Sequence, residues 1–170
     1  MSDLWGTPQA LFDKLDREFQ FTLDVCALPE NAKCVRYFTP EQDGLKQDWS
    51  GVVWMNPPFG PGIEKWLAKA RDHAKHHPTV FDGWDASHLT NQGVVVAIVP
   101  TRTNAPWWHE FVMQASEIRF IKKKVKFVSS DHNGVGFTGH AIVIFRPSAK
   151  RVTVSSFEWI SRTDTRKEEV

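Results

Sequence analysis

The sequence predicts an α/β protein, a doubly wound and mostly parallel sheet that ends in a C-terminal antiparallel hairpin. Three observations predict it. Short apolar runs alternate along the chain with amphipathic stretches of helical period. One run, GVVVAIVP from Gly93 to Pro100, is apolar almost throughout, the pattern of a central parallel strand covered on both faces. Two later runs, VKFVSS and HAIVIFRP, flank a glycine-bearing connection, as the arms of a hairpin do.

The elements follow in order. Thr7 before Pro8 reads as an N-cap with proline at the first helical position, and Leu11, Phe12, Leu15 and Phe19 then recur on one helix face that should end before Gln20. FTLDVCA reads as a short buried strand ending near Asp24, and VVWM as another ending at Asn56. Between them a short strand is expected at Val35 to Thr39, with a turn at Asp43-Gly44. After Gly62, the stripe Ile63, Trp66, Leu67, Ala70 and Ala74 predicts an amphipathic helix. Residues 77–92 are polar, non-periodic and long for a connection, the mark of a functional or a mobile loop. Asn104 and Pro106 introduce a short helix carrying Trp107, Trp108 and Phe111, and EIRFI is a further strand. The polar end of the chain, about residues 151–170, reads as a frayed tail on a core of about residues 1–150 within one domain.

Composition excludes several classes. With 170 residues, 41% hydrophobic and 24% charged, the chain has the balance of one ordinary globular domain. No apolar run approaches the roughly 20 residues needed to span a bilayer, and MSDLWGTPQALFDKLDREF lacks the basic and apolar regions of a secretory signal. A cytoplasmic protein with no membrane partner is expected. Cys26 and Cys34 have no second ligand pair at zinc spacing, so no metal is expected. Net charge is +1, but residues 1–62 hold 5 Lys+Arg against 9 Asp+Glu and the remainder hold 16 against 11. Lys122, Lys123, Lys124 and Lys126 concentrate that excess, either as a phosphate-binding patch or as a solvated strand end. Arg102, between Thr101 and Thr103 just past a strand end, is placed to meet phosphate or to form a surface ion pair.

The informative segment is Asn56-Pro57-Pro58-Phe59. In an open α/β sheet, ligands bind beyond the carboxyl ends of the strands, and these four residues follow such an end. The prolines fix two φ angles and contribute no N–H, so the segment presents backbone carbonyls and the Asn56 amide oxygen in a preset arrangement. Phe59 adds a flat apolar surface. Two acceptors beside an aromatic ring suit a planar group bearing an amine, such as a nucleobase: the ring holds the plane while the oxygens take both amine hydrogens. Doing so frees a nitrogen lone pair otherwise delocalised into the base, and positioning supplies the rest. The same four residues also fit a plain turn after a strand.

WGTPQALFDKL, FTLDVCA, YFTPEQDGLKQDW, WMNPPFG and VPTRTNAPWWHEF follow in this order in the chain. Together they resemble the phage-type, Dam-like DNA N6-adenine methyltransferases, a branch of the S-adenosylmethionine-dependent amino-methyltransferases with an N-P-P-[FYW] loop. The resemblance spans about residues 4–112, and VKFVSS with GHAIVIF continues it more weakly. It implies a Rossmann-like methyltransferase sheet and a flipped adenine held by Asn56 and the Pro57 carbonyl, with Pro58 setting the loop and Phe59 stacking on the base. It implies cofactor contacts at Trp5, Thr7 and Pro8, at Asp24 with Cys26 at the end of the first strand, and at Asp43. Thr7 and Pro8 also read as a helix cap, Asp24 as a cap of the following segment, and Asp43 as part of a turn.

The chain departs from the wider methyltransferase pattern in one respect: DVCALPENAK contains no glycine, so a phosphate-cradling turn is absent. S-adenosylmethionine carries no pyrophosphate and tolerates the loss. The resemblance further implies double-stranded DNA as partner, GATC as the methylated site, protection of phage DNA from restriction, and a monomer or weak dimer. Arg102 and the four lysines become the DNA-binding candidates, and residues 77–92 and 129–139 the loops that read sequence. Methylation of RNA or of a protein glutamine, and nucleic-acid binding without catalysis, remain the competing readings. His109, at the rim of the aromatic helix, reads as structural, and Trp54 and Trp66 as core.

Overall fold

The computed structural model describes residues 6–76, 92–127, 139–147 and 152–159. Its order is α1 (Gln9–Phe19), β1 (Leu23–Asp24), β2 (Val53–Met55), α2 (Ile63–His76), β3 (Val95–Pro100), α3 (Pro106–Glu110), β4 (Glu117–Ile121), β5 (His140–Phe145) and β6 (Thr153–Phe157), with a 3₁₀ turn at Val112–Gln114. The strands form one sheet in the order β1-β2-β3-β5-β4-β6. β1, β2 and β3 are parallel, β5 is antiparallel to both β3 and β4, and β6 is parallel to β4. Five of these strands therefore point one way and β5 alone runs against them. The predicted α/β, mostly parallel sheet is what forms.

Strand alternation explains how both faces are filled. Val53, Met55, Val95, Ala97, Val99 and Val143 point to one face, where they meet Ile63, Leu67, Ala70 and Ala74 of α2 and Trp108 of α3. Trp54, Val96, Ile98, Ile142 and Ile144 point to the other, where they meet Leu11, Phe12, Leu15 and Phe19 of α1. A period of two in the strands thus matches the helical stripes on opposite sides. Every residue of β3 and β5 is buried, which is why both read as continuous apolar runs.

Several boundaries differ from expectation. α1 starts one residue later than predicted: Pro8 is its N-cap, its carbonyl accepting from the N–H groups of Leu11 and Phe12, and Thr7 makes no cap. The predicted stop is where it falls, Gln20 adopting the left-handed conformation at φ 56° and donating to the Asp16 carbonyl. α3 likewise starts from Ala105 as N-cap, without a cap from Asn104. Val35–Thr39 is not a strand but a chain running along β1, with one bridge between Asp24 and Tyr37 and backbone bonds from Asp24 to Arg36 and from Phe38 to Asp24. Val35 is 99% exposed, so no apolar contact holds it in a longer ladder.

The antiparallel partners of β5 are not VKFVSS but β3 and β4, the EIRFI strand, because β5 inserts between them inside the sheet. Val125–Phe127 is not a strand partner of β5, and residues 128–138 lie outside the described ones. The edge is formed instead by β6, from a stretch expected to be a tail. Its first four residues are exposed, so it carries almost no apolar signal and is held by its ladder with β4 and by buried Phe157 and Trp159. Among the described residues no helix is long and apolar enough to cross a membrane.

One geometrical consequence matters for function. Because β4 and β6 point the same way as β1–β3, the carboxyl ends Asp24, Met55, Pro100 and Ile121 share one edge of the sheet with His140, the start of β5.

Candidate active site

A cleft of about 320 Å³ opens at the carboxyl ends of β1 and β2, a size usual for a small-molecule site. Gly6 and Thr7 line it from the chain entering α1, Asp24 to Leu28 from the exit of β1, Phe38 to Pro40 and Asp43 to Leu45 from the connection to β2, and Asn56 and Pro58 from the exit of β2. Thr7, Asp24, Cys26, Asp43, Asn56 and Pro58, predicted from separate stretches, thus meet in one cavity.

Thr7 is 2% exposed and its Oγ1 has no hydrogen-bond partner among the described residues. An unmet buried hydroxyl on a cavity wall is a ready contact for a polar ligand. Asp24 is equally buried, and its carboxylate closes a loop: Oδ1 accepts from the Cys26 N–H at 3.2 Å and Oδ2 from the Lys33 N–H at 3.0 Å. Burial raises its pKa to about 6, against the opposing pull of those two N–H groups and of the Lys33 charge. Burial also pushes the Cys26 thiol well above its ordinary range, so it stays protonated and unreactive.

The Asp43-Gly44 turn shapes the opposite wall. Asp43 is the residue at positive φ, 54°, and its Oδ1 accepts from the Leu45 N–H. Gly44 follows because a Cβ there would lie 2.3 Å from the Val25 carbonyl oxygen and 3.1 Å from the Trp66 ring. Trp66, read as core, is half-buried and faces the cleft, as does the buried Trp54. Lys33, Phe38 and Leu45 also line it and had no signature in the sequence.

In the Asn56–Phe59 loop, Pro57 is buried, Asn56 is half-buried and Pro58 is exposed. Phe59 is half-buried and does not line the cleft; its ring lies 5.4 Å from both Phe127 and His140, which are themselves 4.9 Å apart. His140 is buried with Nδ1 unpartnered among the described residues, and burial lowers its pKa to about 4, leaving it neutral at pH 7. Sequence reading missed His140; only its place at the start of an apolar run could have marked it.

The remaining candidates are more dispersed. Pro8 is absent from the cleft wall because it starts α1, and Trp5 lies outside the described residues. Arg102 is exposed just past β3, its backbone tied to Pro100 and Ala105. Lys122, Lys123, Lys124 and Lys126 are exposed beyond the carboxyl end of β4, on the same edge of the sheet as the cleft, and Lys122 forms a long 3.7 Å ion pair with Glu158. Of the two loops expected to read sequence, only Gln92 and Gly139 fall within the described residues.

A mostly parallel sheet with one reversed interior strand, a cleft at its carboxyl edge and an Asn-Pro-Pro-Phe loop on the rim are the features of a Rossmann-like methyltransferase fold. The chain belongs to the DNA N-6-adenine-methyltransferase (Dam) family, whose model matches residues 1–169. It is 29% identical over 154 residues to the DNA N-6-adenine-methyltransferase of Haemophilus phage HP1, covering 86% of this chain and 80% of the relative. It is 28% identical over 123 residues to the DNA N-6-adenine-methyltransferase of Escherichia phage T1, covering 71% of this chain and 45% of the relative. A shorter match, 36% over 67 residues, is to the putative methyltransferase YfdM of Escherichia coli K12, covering 35% of this chain and 74% of that protein. The family assigns the protein as an adenine-specific DNA methyltransferase.

Proposed function

We propose that the protein methylates N6 of adenine within a short site in double-stranded DNA, using S-adenosylmethionine, that GATC is that site, and that the mark protects phage DNA from restriction in the host cytoplasm. One observation carries the reading of the site: Thr7, Asp24, Asp43, Asn56 and Pro58 line a single cleft.

The residues present suit the cofactor. The unmet Thr7 hydroxyl and the half-buried Asp43 carboxylate offer polar contacts, Phe38 and Trp66 offer apolar walls, and Asp24 holds the loop between them. Bound S-adenosylmethionine supplies an electrophilic methyl group on a sulfonium. The protein's own residues do the rest. Asn56 Oδ1 and the Pro57 carbonyl accept the two N6 hydrogens of an everted adenine and draw the nitrogen toward tetrahedral shape. Pro57 and Pro58 hold those oxygens without reorganisation at the moment of reaction, which is where a preset acceptor pair gains its effect. Phe59, backed by Phe127 and His140, offers the ring against which the base stacks. Arg102 and the lysines beyond β4 lie along the same edge, where a duplex delivering the base would pass.

Incubation with labelled S-adenosylmethionine and DNA, RNA or cell protein separates this reading from its rivals. Label in adenine of duplex DNA is the expected result; label only in RNA or protein would remove the DNA assignment. Digestion of DNA from expressing cells with methyl-sensitive enzymes identifies the site, and cleavage at every GATC by an enzyme blocked at methylated GATC would remove that sequence. Asn56→Ala should lower kcat by about 10²–10³ with cofactor affinity retained, as for loss of one preset catalytic hydrogen-bonding group. Equal turnover in variant and parent would end the assigned role.

A further inference from the structure

We infer that Lys69, which does not line the cleft, is a positioning residue that sets cofactor affinity by stapling the Asp43–Trp49 loop to α2. The inference rests on reading the cleft as the S-adenosylmethionine site.

The loop supplies one wall of the cleft through Asp43, Gly44 and Leu45. It carries no regular structure, so its backbone carbonyls need partners from elsewhere. Lys69 provides two: its ammonium donates to the Leu45 carbonyl at 2.7 Å and to the Gln47 carbonyl at 2.6 Å. The same ammonium lies 5.0 Å from the centre of the Trp49 ring, so carbonyls and a π face together surround a group with three donors. Trp49 completes the tie, its indole N–H donating to the Gly44 carbonyl at 2.8 Å while its ring stacks at 6.3 Å on Trp66, which also lines the cleft.

Lys69 thus holds Leu45 directly and reaches Gly44 and Trp66 through the Trp49 ring. α2 is the rigid side of the connection, fixed on the sheet by Ile63, Leu67, Ala70 and Ala74. The loop is the side that would drift. Charge-assisted bonds to carbonyls exceed neutral ones in strength, and removing the donor leaves two half-buried acceptors unmatched. Burial lowers the Lys69 pKa while Asp48 and Asp43 oppose the fall. The described contacts of the Lys69 ammonium are with Leu45, Gln47 and Trp49, so the effect should fall chiefly on the cofactor.

Titration calorimetry of parent and Lys69→Met with S-adenosylhomocysteine tests it. The variant should show a Kd raised about tenfold, near the worth of one charge-assisted hydrogen bond. Its affinity for duplex DNA at matched salt should be that of the parent, and the loss should appear in KM for the cofactor and not in kcat. Lys69→Arg, which keeps the charge and the donors, should recover most of the affinity. Equal Kd in K69M and parent, or equal losses in K69M and K69R, would overturn the staple while leaving the cleft reading intact. A parent that binds no S-adenosylhomocysteine would overturn the cleft reading itself. Should K69M fail to fold, hydrogen exchange on the parent decides: amides of Leu45 to Trp49 should slow when S-adenosylhomocysteine binds, and unchanged exchange there would overturn the inference.

Discussion

The two halves of the carboxyl edge are built on opposite plans. Around β1 and β2 the loops are tied inward: Asp24 takes two backbone N–H groups, the Trp49 indole takes the Gly44 carbonyl, and Lys69 takes two more carbonyls. Beyond the ends of β3 and β4 the side chains face outward, four exposed lysines and the exposed Arg102, and at the start of β5 a buried His140 has no hydrogen-bond partner for Nδ1 among the described residues. The first half spends Asp24, Trp49 and Lys69 on holding its own backbone, which gives the cavity its shape, and leaves the Thr7 hydroxyl turned into it. The second presents charge to a ligand large enough to cover it. The proposed cofactor on one side and the proposed duplex on the other would account for both plans.

The sharpest way to break the comparison is to disturb the tied half at its tightest point. Gly44→Ala places a methyl group 2.3 Å from the Val25 carbonyl oxygen, and because that atom is backbone the loop itself must move. Overpacking of this kind costs about 1–3 kcal/mol of stability. The expected result is a folded protein whose affinity for S-adenosylhomocysteine falls by about a hundredfold or more, roughly 2.7 kcal/mol, while DNA affinity is retained. Cofactor affinity equal to the parent's would show that the wall is not preset.

The open half calls for the reciprocal test. Replacing Lys122, Lys123, Lys124 and Lys126 together by Gln should leave cofactor affinity as it is and weaken duplex binding. If all four meet phosphates, the slope of log K against log salt should become shallower by roughly three to four. Lys122 already shares an exposed ion pair with Glu158, which is worth little and is given up easily to a phosphate. An unchanged slope would show the cluster to be a solvated strand end.

How much of this was legible in the sequence follows the same division. The tied half announced itself because its roles need particular residues at particular places: proline to fix Asn56, an acid at the end of β1, a glycine where a Cβ does not fit. β3 was equally plain, since burial on both faces leaves an apolar run and nothing else. What escaped reading is held by long-range matching. β6 is exposed over four of five residues and exists because β4 offers it a ladder. β5 was read as a hairpin arm, yet its position between β3 and β4 is a property of the whole sheet. Thr7 looked like a cap by spacing alone; in three dimensions it is one residue early and turns into the cleft. Lys69 and His140 are ordinary letters until the folded chain places carbonyls around one and rings around the other.

The smallest expected effect concerns His140, and it isolates the cost of leaving a buried group unmatched. Its pKa of about 4 lies below the ordinary 6.5 because burial disfavours the imidazolium. The unfolded chain therefore binds more protons than the native protein between these values, and the stability of the neutral form is kept above about pH 6.5 and lost as pH falls toward 4. Asp24 acts in the opposite sense, since its raised pKa of about 6 makes acidification favour the native state over part of the same range. The parent's own pH profile therefore blends the two. His140→Phe removes one and leaves Asp24 in place, while keeping a ring beside Phe59 and Phe127. The stability of variant minus parent, from urea unfolding, should rise by about 2 kcal/mol between pH 7 and pH 4.5, the worth of the proton uptake that the variant no longer has. A difference that stays level with pH would mean that His140 finds a partner or water for its charge, and that this half of the edge is less dry than its geometry implies.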